Sequence, residues 1–188
     1  MVVIVDNSSC FAYSLYQLVG EAEANVAVVG ANEAIGCIDR LEPTHIFIPH
    51  SSVEPSIVSA EIAKRYESKA KILGIGLGCL AVCHAYGASI ISAKGPTSQR
   101  AEIHIANASP IFKGLAPLIQ AGFYHTKEID RIALPEAFHV IAETASGSLM
   151  GLKHKDYPTF GLMFQPESIL TPNGRQIIRN FLALGDEK

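Results

Sequence analysis

The residues that could do chemistry gather where the run Lys71-Ile-Leu-Gly-Ile-Gly-Leu-Gly-Cys-Leu-Ala-Val-Cys-His84 passes from a strand pattern into a helical one. Gly74, Gly76 and Gly78 alternate at that junction. Such spacing permits positive φ angles and close backbone approach, the local requirements of a nucleophile elbow or a phosphate-cradling loop. An elbow also needs a reactive side chain at its apex, and the apex here is Gly76. The nearest nucleophile is Cys79, in the first helical turn, where a helix N-terminus lowers a thiol pKa. As a relocated nucleophile Cys79 would need exposure and a base; the simpler reading is a small buried apolar residue. Cys79, Cys83 and His84 have metal-ligand types, but no second cluster completes a site, and no metal is expected. Elsewhere, His50 in a turn-rich loop could bond an anion, although a lone loop histidine is more often solvated.

The elements that must position these groups follow a regular order. Residues 2–5 are a β-branched run ending at Asp6-Asn7, the pattern of a central parallel strand with polar residues at its carboxyl end, where ligand crevices lie. Residues 11–23 read as a helix with Ser8 or Ser9 as cap. Residues 24–30 read as a strand, 32–41 as a short helix and 45–49 as a strand. After the loop His50-Ser-Ser-Val-Glu-Pro55, a helix is expected over 57–68, then the strand, glycine turn and helix of 72–86. The second half is different. Short runs at 88–91, 102–105, 123–124, 138–142, 148–152 and 160–164, separated by Gly, Pro and Asn, predict a short antiparallel extension before a last strand. An amphipathic helix at 174–184 closes the chain, with Arg175, Arg179 and Asn180 outward. The fold class expected is a single α/β domain over 1–188, a mostly parallel open sheet flanked by helices.

Composition narrows the function classes. The chain has 188 residues, 48% hydrophobic and 18% charged, with a net charge of -3 and no basic run. That excludes a disordered chain and argues against a nucleic-acid partner. The four cysteines fit neither a secreted disulfide framework nor paired zinc ligands, the N-terminal apolar run is too short for a signal peptide, and no window approaches a membrane span. A cytoplasmic location and no membrane partner are therefore expected.

Five segments occur together in one order: Val-Asp-Asn-x-x-x-Phe-x-Tyr at 5–13, the glycine elbow, Phe-Tyr-His at 123–125, Met-Gly-Leu-Lys-His at 150–154, and Gly-x-x-Phe-Gln-Pro-Glu-Ser-Ile-Leu-Thr at 161–171. Over nearly its whole length the chain resembles a class I glutamine amidotransferase, a flavodoxin-like fold. The Asp-Asn opening and the Pro-Glu-Ser-Ile-Leu-Thr ending resemble most the glutaminase subunit of anthranilate synthase and aminodeoxychorismate synthase. The resemblance implies a cysteine at the elbow of Gly-x-Cys-x-Gly-x-Gln and a late His-Pro-Glu motif. Glutamine would be hydrolysed through a thioester and the ammonia handed to a partner synthase. A thiolate must attack, a histidine must accept and return protons, and a carboxylate must hold that histidine.

This chain departs from the pattern at each of those points. Gly76 stands where the nucleophile belongs, Gln165 where the histidine belongs, and only Glu167 keeps its type. Leu80 replaces the substrate-gripping glutamine, and Pro49-His-Ser-Ser-Val replaces the glycine-rich oxyanion loop. The remnant of the substrate pocket implied by the resemblance is His50, Ser51, Gly78, Leu80, His125 and Thr126. The expected function is a glutaminase-type subunit that has lost its chemistry and serves a chorismate-using or analogous synthase as a non-catalytic partner or regulator, with no cofactor and with a homodimer as a further option. Two rivals are an active hydrolase using Cys79 with His84 or His125 as base, and a small-molecule sensor with a remodelled pocket around Gly76, His50 and Gln165.

Overall fold

In the computed structural model, which describes residues 1–51, 56–93 and 98–185, the first half of the chain alternates strands and helices as its apolar runs predict. Val2–Asp6 (β1), Phe11–Gly20 (α1), Val26–Gly30 (β2), Ala34–Leu41 (α2), His45–Ile48 (β3), Ile57–Tyr66 (α3), Lys71–Ile75 (β4) and Leu77–His84 (α4) follow in order. Ile90–Ser92 (β5), Ser98–Ile105 (β6), Leu118–Tyr124 (β7), Lys127–Ile129 (β8), Phe138–Thr144 (β9), Leu149–His154 (β10) and Thr159–Leu162 (β11) precede the last helix, Gly174–Leu182 (α5). Among the described residues the main sheet has nine strands in the order β2-β1-β3-β4-β11-β10-β9-β6-β7, and β5 pairs separately with β8. From β2 to β11 the strands are parallel. From β10 outward each neighbour is antiparallel.

The last strand in sequence lies in the middle of the sheet, beside β4, because β11 is parallel to it and the antiparallel strands continue beyond. Strand alternation then sorts the two faces. Phe160 on β11 and Phe47 on β3, in register with Leu73 of the intervening β4, meet Phe181 of α5 edge to face, at ring separations of 6.0 and 5.1 Å. Burial of Ile177, Ile178 and Phe181 holds α5 there, each contributing about 1.5–3 kcal/mol. On the other face, Gly161 pairs with Gly74 across the β4–β11 ladder. A Cβ at Gly74 would lie 2.7 Å from the Gly78 carbonyl oxygen, and one at Gly161 would lie 2.5 Å from Cys79 Sγ. The paired glycines therefore form a trough that lets α4 rest directly on the sheet.

Several boundaries differ from the sequence reading. Helices α1, α3 and α4 stop at Gly20, Tyr66 and His84, two or three residues short, where their final turns loosen. Neither Ser8 nor Ser9 caps α1: its N-cap is Cys10, without a side-chain bond. Ser8 instead turns the chain with φ 59°, its N–H donating to Asp6 Oδ1, and Ser9 Oγ donates to the His50 carbonyl. Asn180 is not simply outward; its side-chain amide donates to the Ile111 and Lys113 carbonyls. Strands β6 and β7 extend well past 102–105 and 123–124, because their mutual pairing carries residues whose own pattern is weak. The loop residues 52–55, the first two of which belong to the segment replacing the oxyanion loop, lie outside the described residues.

Candidate functional site

The glycine turn is an elbow in fact. Gly76 sits between β4 and α4 with φ 58° and ψ −121°, a conformation that side chains strain to adopt. Its N–H donates to the Leu162 carbonyl of β11 at 2.7 Å, fixing the turn to the middle of the sheet. Gly78, two residues on, approaches β3 so closely that a Cβ would lie 1.9 Å from the Ile48 carbonyl oxygen. These contacts place the start of α4 at the carboxyl ends of β3, β4 and β11.

The space where an elbow side chain would project is filled by His50. A Cβ built at Gly76 would lie 2.3 Å from His50 Nδ1 and 2.8 Å from Gln165 Nε2. The Leu77 N–H donates to His50 Nδ1 at 3.2 Å, and Gln165 Nε2 lies 3.5 Å from the same nitrogen. The imidazole packs against Phe11, ring centroids 5.1 Å apart, and Phe11 leads on to Tyr124 at 6.0 Å. Two residues at the end of β1 hold the loop behind it: Asn7 Nδ2 donates to the Pro49 carbonyl, and Ser9 Oγ to that of His50. Burial, and secondarily His125, lower the His50 pKa to about 4. At neutral pH the ring is therefore an uncharged acceptor.

Gln165 and Glu167 follow β11 on a loop tied to β7. The Gln165 N–H donates to the Gly122 carbonyl, Thr171 Oγ1 donates to the Gln165 carbonyl, and the Gly122 N–H donates to Thr171 Oγ1. Gln165 is fully buried, and its Oε1 has no hydrogen-bond partner among the described residues. The Glu167 carboxylate oxygens are likewise buried without a partner, and burial pushes this carboxyl up to about 7. Glu167, the one position that keeps its type, thus has no side-chain partner among the described residues; Gln165, where the resemblance places a histidine, is an amide beside His50.

The remaining candidates divide. Ser51 is buried beside His50. His125 is buried and stacks on Phe123 at 5.0 Å; burial lowers its pKa, opposed by the Lys127 backbone. Thr126 is exposed, its carbonyl accepting from Ala93 N–H. Leu80 is fully buried in the core. Cys79 is fully buried under the elbow against Gly161. Cys83 is also fully buried, and its hydrogen bond with Cys79, together with burial, raises its thiol pKa well above the ordinary range. His84 is exposed, so the three do not converge.

His50 had a weak signal in sequence, a lone histidine in a loop, and its position at the elbow follows from a contact across 27 residues. Asn7 and Ser9 gave only the general signal of polar residues ending a parallel strand.

With the geometry in hand, a family model described as Glutamine amidotransferase class-I matches residues 3–184. The chain is 34% identical over 190 residues to the Bifunctional protein TrpGD of Thermotoga maritima, an alignment covering 98% of this chain. It spans 32% of that protein's length. It is 31% identical over 186 residues to the Aminodeoxychorismate/anthranilate synthase component 2 of Bacillus subtilis, covering 97% of this chain and 95% of that one. A solved structure from Thermoplasma acidophilum, described as a GMP synthase subunit, superposes with a TM-score of 0.85 at 25% identity, covering 97% and 92% of the two chains.

Proposed function

The chain belongs to the class I glutamine amidotransferase family, and from that premise we propose that it is a glutaminase-type subunit without glutaminase chemistry, acting as a non-catalytic partner or regulator of a chorismate-using synthase. The observation that carries the loss of chemistry is the elbow itself. Gly76 offers no nucleophile, and His50 occupies the space in which one would stand. No thioester can form there, and the buried amide of Gln165 can neither accept nor return a proton at neutral pH. The rival nucleophile Cys79 is fully buried against the sheet, out of reach of any substrate that enters above the turn.

The partner role is supported by names and by surface. Component 2 relatives such as the Bacillus subtilis protein are named as components of aminodeoxychorismate and anthranilate synthases. In this chain three large apolar side chains stand exposed after the carboxyl ends of parallel strands β1, β11 and β3: Tyr13 at 62%, Ile169 at 95% and Ile57 at 86%. Parallel strands put those ends on one edge of the sheet, the edge of the elbow. Exposed apolar side chains set along one edge are a surface that a protein partner could cover. The test is coexpression with a chorismate-using synthase followed by size exclusion, alongside glutamate release from glutamine. Coelution that is lost in the Ile57→Asp, Ile169→Asp double variant, with no glutamate released, supports the reading. Steady glutamate release by the unmodified chain overturns it.

A further inference from the structure

A helix that begins at a glycine has no side chain of its own to cap it. The N-cap of α4 is Gly76, and the Leu77 N–H is among the donors that a helix N-terminus leaves without an intrahelical acceptor. At a nucleophile elbow, the N–H of the residue after the apex is the donor that meets the developing oxyanion. Here that donor already has an acceptor, His50 Nδ1 at 3.2 Å, brought from another loop. From this contact we infer that the elbow is a self-occupied binding site whose resident ligand is the His50 imidazole, which holds in cis the donor and the volume that an external carboxamide oxygen or oxyanion would take.

The fit is built from several sides. The backbone on which the imidazole hangs is held at two successive carbonyls, Pro49 by Asn7 Nδ2 and His50 by Ser9 Oγ. Asn7 is itself oriented by Ser59 Oγ, which donates to Asn7 Oδ1 across 52 residues at 3.2 Å. Phe11 covers the ring, and the Gln165 amide abuts the nitrogen that faces Leu77. Accepting from a backbone N–H requires a bare Nδ1, so the ring proton sits on Nε2. Asn7 and Ser9 are positioning residues for this plug, and they come from the opening motif, far in sequence from the elbow. The inference rests on the non-catalytic reading and deepens it: the subunit is insensitive to glutamine, so the partner it binds receives no report of glutamine through this site.

The experiment uses the full chain labelled with 15N. In the unmodified protein, the Leu77 amide should be protected from hydrogen exchange, the His50 ring should show the Nε2–H tautomer, and saturating glutamine should move neither signal. In His50→Gly the vacated space should accept free imidazole, raising the unfolding temperature in a saturable way that the unmodified protein does not show. Ser9→Ala should increase Leu77 exchange without loss of fold, which keeps the test decisive if His50→Gly does not fold. A Leu77 amide that exchanges like an exposed loop amide, an Nδ1–H tautomer, or glutamine-dependent shifts at Leu77 would overturn the plug. Failure here with synthase binding intact removes only the plug; a closed elbow with no synthase bound removes only the partner reading.

Discussion

Putting a cysteine at Gly76 and a histidine at Gln165 would restore nucleophile, base and the Glu167 carboxylate on paper, and we expect the double variant Gly76→Cys, Gln165→His to release no glutamate. The introduced Cβ would lie 2.3 Å from His50 Nδ1, too close for the ring to stay. Holding a non-glycine residue at φ 58° costs roughly 1–3 kcal/mol, and displacing His50 loses its hydrogen bond to Leu77, about 1 kcal/mol more. The total, about 2–4 kcal/mol, should lower the unfolding temperature by about 4–16 °C for a domain of this size. Displacing His50 would free the Leu77 N–H, but chemistry would still lack the second oxyanion donor that a glycine-rich loop would supply, such donors being worth about 10²–10³-fold each in rate. Leu80, fully buried, offers the substrate no polar contact. The assay is glutamate release beside differential scanning calorimetry of both proteins. Turnover like that of an ordinary glutaminase, or an unchanged unfolding temperature, would refute the reasoning, since either requires a site with room for the new side chain.

Further outcomes follow from the same geometry. Gly78→Ala, whose Cβ would lie 1.9 Å from the Ile48 carbonyl oxygen, should destabilise by about 1–3 kcal/mol in urea unfolding, and a change below about 0.5 kcal/mol, the usual range for harmless surface substitutions, would contradict the packing of α4 on β3. The His50 pKa is held at about 4, below its usual 6.5, so its contribution is present above pH 6.5 and is lost as pH falls toward 4; His125, buried beside it and also lowered, acts in the same direction. Glu167 has the opposite sign: raised to about 7 from 4.5, it favours the fold below pH 4.5 and weakens it as pH rises through 7, so Glu167→Gln should stabilise at pH 8, on the order of 2–3 kcal/mol, and not at pH 4. In native protein, iodoacetamide should label exposed Cys10 and leave buried Cys79 and Cys83 untouched, as read by peptide mass spectrometry; labelling of Cys79 would reopen the relocated-nucleophile reading.

The series from β1 to β4 was legible because its strands are short, largely apolar runs that alternate with helices, so local pattern alone places them in sequence. The elbow was legible for the same reason: three glycines in alternation at one junction have few other uses. The antiparallel half was legible only as fragments. Residues such as Gln99, Arg100 and Glu102 enter β6 through pairing with β7, and no local pattern announces a partner so far along the chain. The missing nucleophile could be read from one position, whereas the plug could not. His50 gains its role from contacts with Leu77, Gln165, Phe11 and Ser9, which only the folded sheet assembles. Ser8 and Ser9 illustrate the converse: good cap residues by type, they are drawn into the turn after β1 and the loop after β3 instead.

The two ends of the main sheet are not alike, and this gives the molecule a direction in which it can go wrong. At the β7 end, both backbone groups of Gly122 are engaged by the loop that follows β11, so a stray strand meets an edge already partly satisfied. At the β2 end, the short run Val26–Gly30 closes the series with no further strand beside it among the described residues and carries neither charge nor proline, the devices that usually discourage edge-to-edge association. Aggregation on heating or storage should therefore begin at β2, and a lysine in place of half-buried Ala27 should suppress it more than the same change anywhere along β7.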